Sequence, residues 1–143
     1  MIVTTAGRTD EKHIMLAKKI ALKYNYHYIS RNKDSIDKLH RTYKMDVLVV
    51  GKERLEWFPV GQEEPIFFHP NTSAFRIKRI LRGESEPFLE AISLEKGMSF
   101  LDCTLGLASD CVLASFTVGD NGKVIGIEGN NKLANIVSEG LLS

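Results

Sequence analysis

The chain contains no apolar run near the roughly 18–20 residues that a bilayer-spanning helix needs, so no membrane segment is expected. The opening stretch MIVTTAGRTDEK turns polar after Val3 and does not read as a secretory signal. The cytoplasm is therefore the expected location. Only two cysteines occur, Cys103 and Cys111, and they form no CxxC pair. That composition supports neither a disulfide scaffold nor a zinc site. Both are expected to be structural thiols, Cys103 in a buried strand and Cys111 in a helix. The four histidines, His13, His27, His40 and His69, share no spacing that suggests a metal. Internal repeats and low-complexity segments are absent as well.

What is present is an ordinary globular composition over 143 residues, enough for one domain or two small ones. The net charge of +1 hides an uneven distribution. Residues 1–83 carry 16 Lys/Arg against 9 Asp/Glu, whereas residues 84–143 carry 3 against 9. A basic front half suits a polyanionic partner. Solvated helix faces, or two subdomains of opposite charge, would account for it equally.

The front half alternates strand and helix patterns. Ile2–Thr5 is a short β-branched run, and Thr9 or Asp10 can cap a helix in which Ile14, Ala17, Ile20, Ala21 and Tyr24 share a face. Residues 26–30 alternate as a second strand. Residues 35–44 place Ile36, Leu39 and Tyr43 on one helical face, and DVLVV at 46–50 is a continuous apolar strand. This β-α-β-α-β order predicts a small, mostly parallel sheet covered by helices. Residues 54–58 and 65–69 flank a turn and suggest a hairpin. Asn71, Thr72 or Ser73 then caps a further helix, with Phe75, Ile80 and Leu81 facing inward and Gly83 at its end. A domain boundary is expected between residues 83 and 84.

The second half holds a short helix at 87–92, the strand MSFLDC at 98–103, a loop, a helix at 109–118, the strand KVIGIE at 123–128 and a last helix at 131–142. A strand ending in an acid, followed by a glycine-containing loop and a helix start, makes a small-ligand pocket at the carboxyl end of a parallel sheet. Gly106 lets a ligand approach the backbone. The amides near Ser109 and Asp110 lie at a helix N-terminus, and Asp102 can accept a hydrogen bond or balance a cation. Glu128 follows Gly106 by 22 residues, near the offset of about 20 at which a carboxylate meets ribose hydroxyls in dinucleotide folds. A two-pronged acceptor suits a vicinal diol. An adenosine-bearing ligand is the expected occupant. The loop LDCTLGLAS lacks GxGxxG, which disfavours a dinucleotide pyrophosphate and is more tolerable for S-adenosyl-L-methionine, a ligand without phosphate. The pocket requires Asp102 and Glu128 at the same sheet end, with open space beside Gly106.

Read together, FFHPNTSAFRIKRILRGE, SFLDCTLGLASD and VIGIEGN resemble a bacterial family of class I S-adenosylmethionine-dependent methyltransferases. That family is related to the enzymes that methylate guanine N2 in small-subunit ribosomal RNA. The resemblance runs in order along the whole chain and is most specific in HPN…AFRIKR and LDCTLGL.SD. It implies a Rossmann-like sheet, of which residues 84–143 supply the first two βα units, behind an α/β subdomain at residues 1–83 with its basic helix. It implies that Asp102, Thr104, Leu105, Gly106 and the rest of the loop to Ala108 form the first cofactor loop. Ser109 and Asp110 would line the methionine side, and Glu128 with Gly129 would hold the ribose. Ala108 departs from the glycine commoner there. The family's sheet has seven strands and its catalytic segment follows the fourth, so the expectation is a truncated, inactive form that pairs with another copy through exposed sheet edge or apolar face.

Arg76, Arg79 and Arg82 recur along the basic helix and are candidate RNA contacts. They could instead pair with Glu84, Glu86 or Glu90, or cover apolar surface with their stems. Two rival functions stay open: a nicotinamide- or other nucleotide-binding module, and a non-enzymatic RNA-binding or assembly module.

Overall fold

Residues 1–143 are described by a computed structural model that divides into two units, Met1–Phe68 with Glu139–Ser143, and His69–Ser138. In the first unit β1 (Ile2–Thr5), α1 (Glu11–Tyr24), β2 (His27–Tyr28), α2 (Ile36–Tyr43), β3 (Val47–Val50) and β4 (Leu55–Phe58) follow one another. The sheet order is β2-β1-β3-β4. The first three strands are parallel and β4 runs antiparallel to β3, pairing Val47 with Phe58 and Val50 with Leu55. The chain moves from β1 to one neighbour and then back across to β3. With right-handed crossovers, these opposite directions put α1 and α2 on opposite faces of the sheet. Every residue of β1 and β3 is buried, as a strand covered on both faces requires. Ile2, Val47 and Val49 pack with Leu39 and Ile36 of α2. Alternation sends Val3, Leu48 and Val50 to the other face, and Ala17, Ile20 and Ala21 of α1 are buried. Asp10 caps α1 by accepting from the His13 amide at 3.0 Å, and Ser35 caps α2 through the Lys38 amide at 3.1 Å.

The second unit contains α3 (Asn71–Leu81), α4 (Pro87–Ile92), β5 (Ser99–Asp102), α5 (Ser109–Val118), β6 (Lys123–Gly126) and most of α6 (Asn131–Leu142). Strands β5 and β6 are parallel and in register from Ser99↔Lys123 to Asp102↔Gly126. Helix α5 packs on both strands and on α3. Its Cys111, Leu113, Ala114 and Val118 are buried, as are Ile136 and Val137 of α6. The mixed α/β architecture with parallel strands is the one expected. No helix is long and apolar enough to cross a membrane.

Five expectations fail here, each for a physical reason. The units divide after Phe68, not after Gly83, because α3 belongs with α5. The Ser73 hydroxyl donates to the Ser109 carbonyl at 3.0 Å. That contact also explains why Ser73 is no N-cap. It is buried inside the first turn of α3, and Pro70 occupies the cap position without a side-chain bond. Phe75 and Leu81 are 68% and 71% exposed, since the inward face of α3 runs through Ser73, Arg76, Ile77 and Ile80. The segment at 65–69 contributes only a single bridge, Ile66 to Trp57, instead of a strand. Finally, Cys103 is exposed, lying just beyond β5.

Candidate functional site

The parallel pairing of β5 and β6 brings their carboxyl ends together, so Asp102 and Glu128 emerge at the same end of the sheet. Beyond β5 the chain turns through Thr104, Leu105 and Gly106 into α5. Gly106 takes a left-handed φ of 53°, which suits a residue without a side chain. A Cβ there would meet nothing closer than the Thr104 carbonyl oxygen at 3.9 Å, and one at Gly129 would meet nothing within 4 Å. Gly129 therefore borders open space, and Gly106 meets only backbone at van der Waals distance. The two acids thus stand at one sheet end, and no side chain is packed within 4 Å of a Cβ built on the glycine bend.

The acids also organise the loop. Asp102 Oδ1 accepts from the Thr104 amide at 2.9 Å, and its Oδ2 is 3.7 Å from the Cys111 thiol. Glu128 accepts from the Gly106 amide at 3.0 Å through Oε2 and from the Asn130 amide at 2.9 Å through Oε1. Glu128 thus ties the end of β6 to the bend after β5. An ionised carboxylate offers about four acceptor lone pairs, so these two amides leave one on each oxygen. Backbone bonds complete the frame. The Ile127 amide donates to the Asp102 carbonyl at 2.7 Å and the Leu105 amide to the Ile127 carbonyl at 2.9 Å. These bonds carry the contact between the two segments past the last strand pair, Asp102 with Gly126, so that Glu128 lies two residues beyond β6.

Not every expected residue faces the open space. The Leu105 side chain lies against Gly126, where any Cβ would collide with Leu105 Cδ1 and crowd the Cys111 sulfur at 3.2 Å. Gly126 is a site residue that the sequence reading missed. A glycine inside a strand is itself the signal of a close approach. Ser109 and Asp110 are engaged by α3. Ser73 Oγ is 3.0 Å from the Ser109 carbonyl and 3.4 Å from its hydroxyl, and Arg76 Nη1 is 2.6 Å from Asp110 Oδ1. Arg76 also gives Nε and Nη2 to Glu86 Oε1 at 3.2 and 2.7 Å. Arg76 is therefore the keystone of an ion-pair network supporting the first turn of α5. Arg79 pairs with Glu84 at 3.0 Å on the surface, and Arg82 is exposed. Two of the three arginines thus make the intramolecular pairs that were the alternative to RNA contact.

Ala108 is fully buried and holds a left-handed φ of 62° at the N-cap of α5. That conformation costs an L-residue roughly 1–2 kcal/mol, a strain that a glycine would avoid. Here its amide bonds to the Leu105 carbonyl at 2.8 Å and its carbonyl receives the Val112 amide at 2.9 Å.

Burial first, and then the Asp102 carboxylate, push the Cys111 thiol up to about 11. It stays protonated at neutral pH and is no nucleophile. Brief iodoacetamide treatment at about pH 8 should therefore alkylate exposed Cys103 while leaving Cys111 at least ~100-fold slower. Peptide mass spectrometry over a time course reads this directly. Equal labelling would mean that the packing of α5 on Gly126 is not closed.

No family model matches the chain. It is 46% identical over 142 residues to the uncharacterized protein YpiP of Bacillus subtilis (strain 168), a match covering 99% of this chain and 55% of that protein. It also superimposes on the crystal structure of a SAM-dependent methyltransferase from Neisseria gonorrhoeae with a TM-score of 0.54 and 14% identity, covering 99% of this chain and 52% of that one. The mixed α/β fold with parallel strands is thus shared with part of a methyltransferase. The chain spans about half the length of either relative.

Proposed function

We propose that the chain is the cofactor-binding portion of an S-adenosylmethionine-dependent methyltransferase acting on RNA, of the guanine-N2 type that its motifs resemble. One observation carries this reading: Asp102 and Glu128 share one end of a parallel strand pair, and Glu128 clamps the Gly106 bend, against which no side chain is packed. The fold likeness to a SAM-dependent methyltransferase supports it.

The residues fit the cofactor. Glu128 retains acceptor capacity for a ribose diol, and Gly129 leaves room beside it. Asp102 retains acceptor capacity for the ammonium of the methionine moiety, and Gly106 lets that moiety approach the backbone. Thr104 positions Asp102 through its amide, and Leu105 holds the bend by packing on Gly126. Ser109 and Asp110 set the first turn of α5 through their bonds to α3. When bound, the cofactor supplies an electrophilic methyl group. The role of these side chains is to bind and orient it. The single glycine of the loop and the absence of any phosphate in this cofactor favour it over a nicotinamide dinucleotide.

Calorimetry should show binding of S-adenosylmethionine and S-adenosylhomocysteine and none of NAD, while a tritium-transfer assay on undermodified ribosomal RNA should show no turnover by these residues alone. Binding of NAD in preference would replace this reading with a dinucleotide module. Clear turnover would place the acceptor chemistry within this chain. Exposed Leu101, Ile125 and Ile127, on one face of β5 and the residues around β6, support association with a second copy through this sheet.

A further inference from the structure

The expected RNA stripe on α3 was Arg76, Arg79 and Arg82, but the structure turns Arg76 inward onto Glu86 and Asp110. What remains outside is a different set. Phe75, Lys78, Arg79 and Arg82 are all exposed and stand at i, i+3, i+4 and i+7. Phe75, Lys78 and Arg79 share one face of α3 and the C-cap residue Arg82 follows it, so an aromatic ring stands among three cations. Phe75 is 68% exposed, and Lys78 Nζ lies 5.9 Å from its ring centroid. Nothing in α3 requires a large apolar side chain there, because Ser73, Ile77 and Ile80 supply the inward face.

We infer that this outer face of α3 binds single-stranded RNA, with Phe75 stacking on an unpaired base and Lys78, Arg79 and Arg82 contacting the flanking phosphates. The inference deepens the RNA reading above and rests on it for the choice of RNA as partner. The chemistry is that of sequence-tolerant single-strand binders, which combine a cationic track with an exposed ring. Arg79 is held only by an exposed pair with Glu84, through Nε at 3.0 Å. Such pairs contribute little and exchange readily for a phosphate. An anionic membrane is the less suitable partner. Interfacial helices need a broad apolar face opposite their cations, and Phe75 is the one apolar residue among these four positions.

The test uses the full chain and a fluorescein-labelled, unstructured RNA of mixed sequence, read by anisotropy at about 50 and about 200 mM salt. Three phosphate contacts to a single strand give a slope near −2 in log affinity against log salt, so binding should weaken roughly 20-fold over that range. Phe75→Ala should weaken binding about tenfold at either salt, with little change in the salt slope. Lys78→Ala/Arg79→Ala/Arg82→Ala should reduce the slope by about 2. Lys18→Ala/Lys19→Ala on α1, which removes two cations from a different helix, should change affinity less than about twofold. All four α3 side chains are exposed, so circular dichroism should show each variant folded.

Binding that is indifferent to Phe75 and to the three cations overturns the inference. So does an equal loss in the α1 control, or binding to phosphatidylserine vesicles without binding to RNA. Cofactor calorimetry on the same variants separates the two readings. Phe75→Ala should bind S-adenosylhomocysteine as the parent does. Cofactor binding with no RNA binding sinks this surface alone. Phe75-dependent RNA binding with no cofactor binding sinks the methyltransferase reading alone.

Discussion

Arg76→Ala is expected to lower the stability of the folded chain by about 3 kcal/mol, whereas Arg79→Ala, one helical turn away, should cost less than about 1 kcal/mol. The contrast follows from what each guanidinium leaves behind. The Arg76 side chain is 20% exposed and Glu86 only 8%, and the pair is joined by two hydrogen bonds with a third running to Asp110. Removing Arg76 strands a carboxylate that is largely out of water, close to Phe88, over which the guanidinium now sits at 5.4 Å from the ring centroid. Arg79 and Glu84 are both about half exposed, and water replaces either partner. Urea unfolding of the two variants measures the difference, and equal shifts of the midpoint would remove Arg76 from the role assigned to it.

The same pair sets a pH dependence. Hydrogen bonds from Arg76, the largest influence, hold the Glu86 carboxyl below the ordinary glutamate range. A carboxyl whose pKa is lowered on folding stabilises the folded state fully above its unfolded value. That contribution is lost as pH falls through the lowered folded value. The parent should therefore lose stability below about pH 4.3, the ordinary glutamate value, and Arg76→Ala should lose less over the same interval. Because Arg76 also holds Asp110 in the first turn of α5, the variant should bind the cofactor more weakly as well.

How much of this was visible in the chain itself depends on the kind of residue involved. Strand β1 and helices α4, α5 and α6 begin and end where the sequence places them. There, β-branched runs and punctuating Pro, Gly and Asn leave little freedom, although apolar Ile92, Phe116 and Leu141 of these helices stay exposed. The placement of Asp102 at the end of β5 and of Gly106 in the bend after it was legible because both are local features, whereas Glu128, expected to end the next strand, lies two residues beyond β6. Helix α3 was misread for the opposite reason. Its buried side is led by Ser73 and Arg76, a small residue allowing close approach and a cation neutralised by two acids. Its exposed side carries Phe75 and Leu81. Counting apolar residues assigns such a helix the wrong face, since the partners that make Arg76 an interior residue lie 10 and 34 positions further along the chain. Gly126 was overlooked because its reason lies across the sheet end, in the position of Leu105.

Glu128→Gln is expected to weaken binding of S-adenosylhomocysteine by roughly 10–100-fold, the range for losing a hydrogen-bonded charge at a polar contact. The carboxylate has two duties that one substitution disturbs together. It accepts from the Gly106 and Asn130 amides, and its remaining lone pairs are proposed to receive the ribose hydroxyls. A glutamine keeps one acceptor oxygen and turns a donor toward one of those amides, so part of any loss would come from a loosened loop. A ligand without the 2′-hydroxyl separates the two. If Glu128 grips the diol, the 2′-deoxy analogue binds the parent weakly, and Glu128→Gln weakens it by a distinctly smaller further factor, because the interaction is already gone. If Glu128 only tethers the bend, both ligands lose the same factor, and the diol contact is withdrawn. Asp102→Asn provides the internal comparison. It should weaken the homocysteine-bearing ligand while leaving adenosine itself nearly unaffected, since Asp102 is assigned to the amino-acid end of the pocket and Glu128 to the sugar.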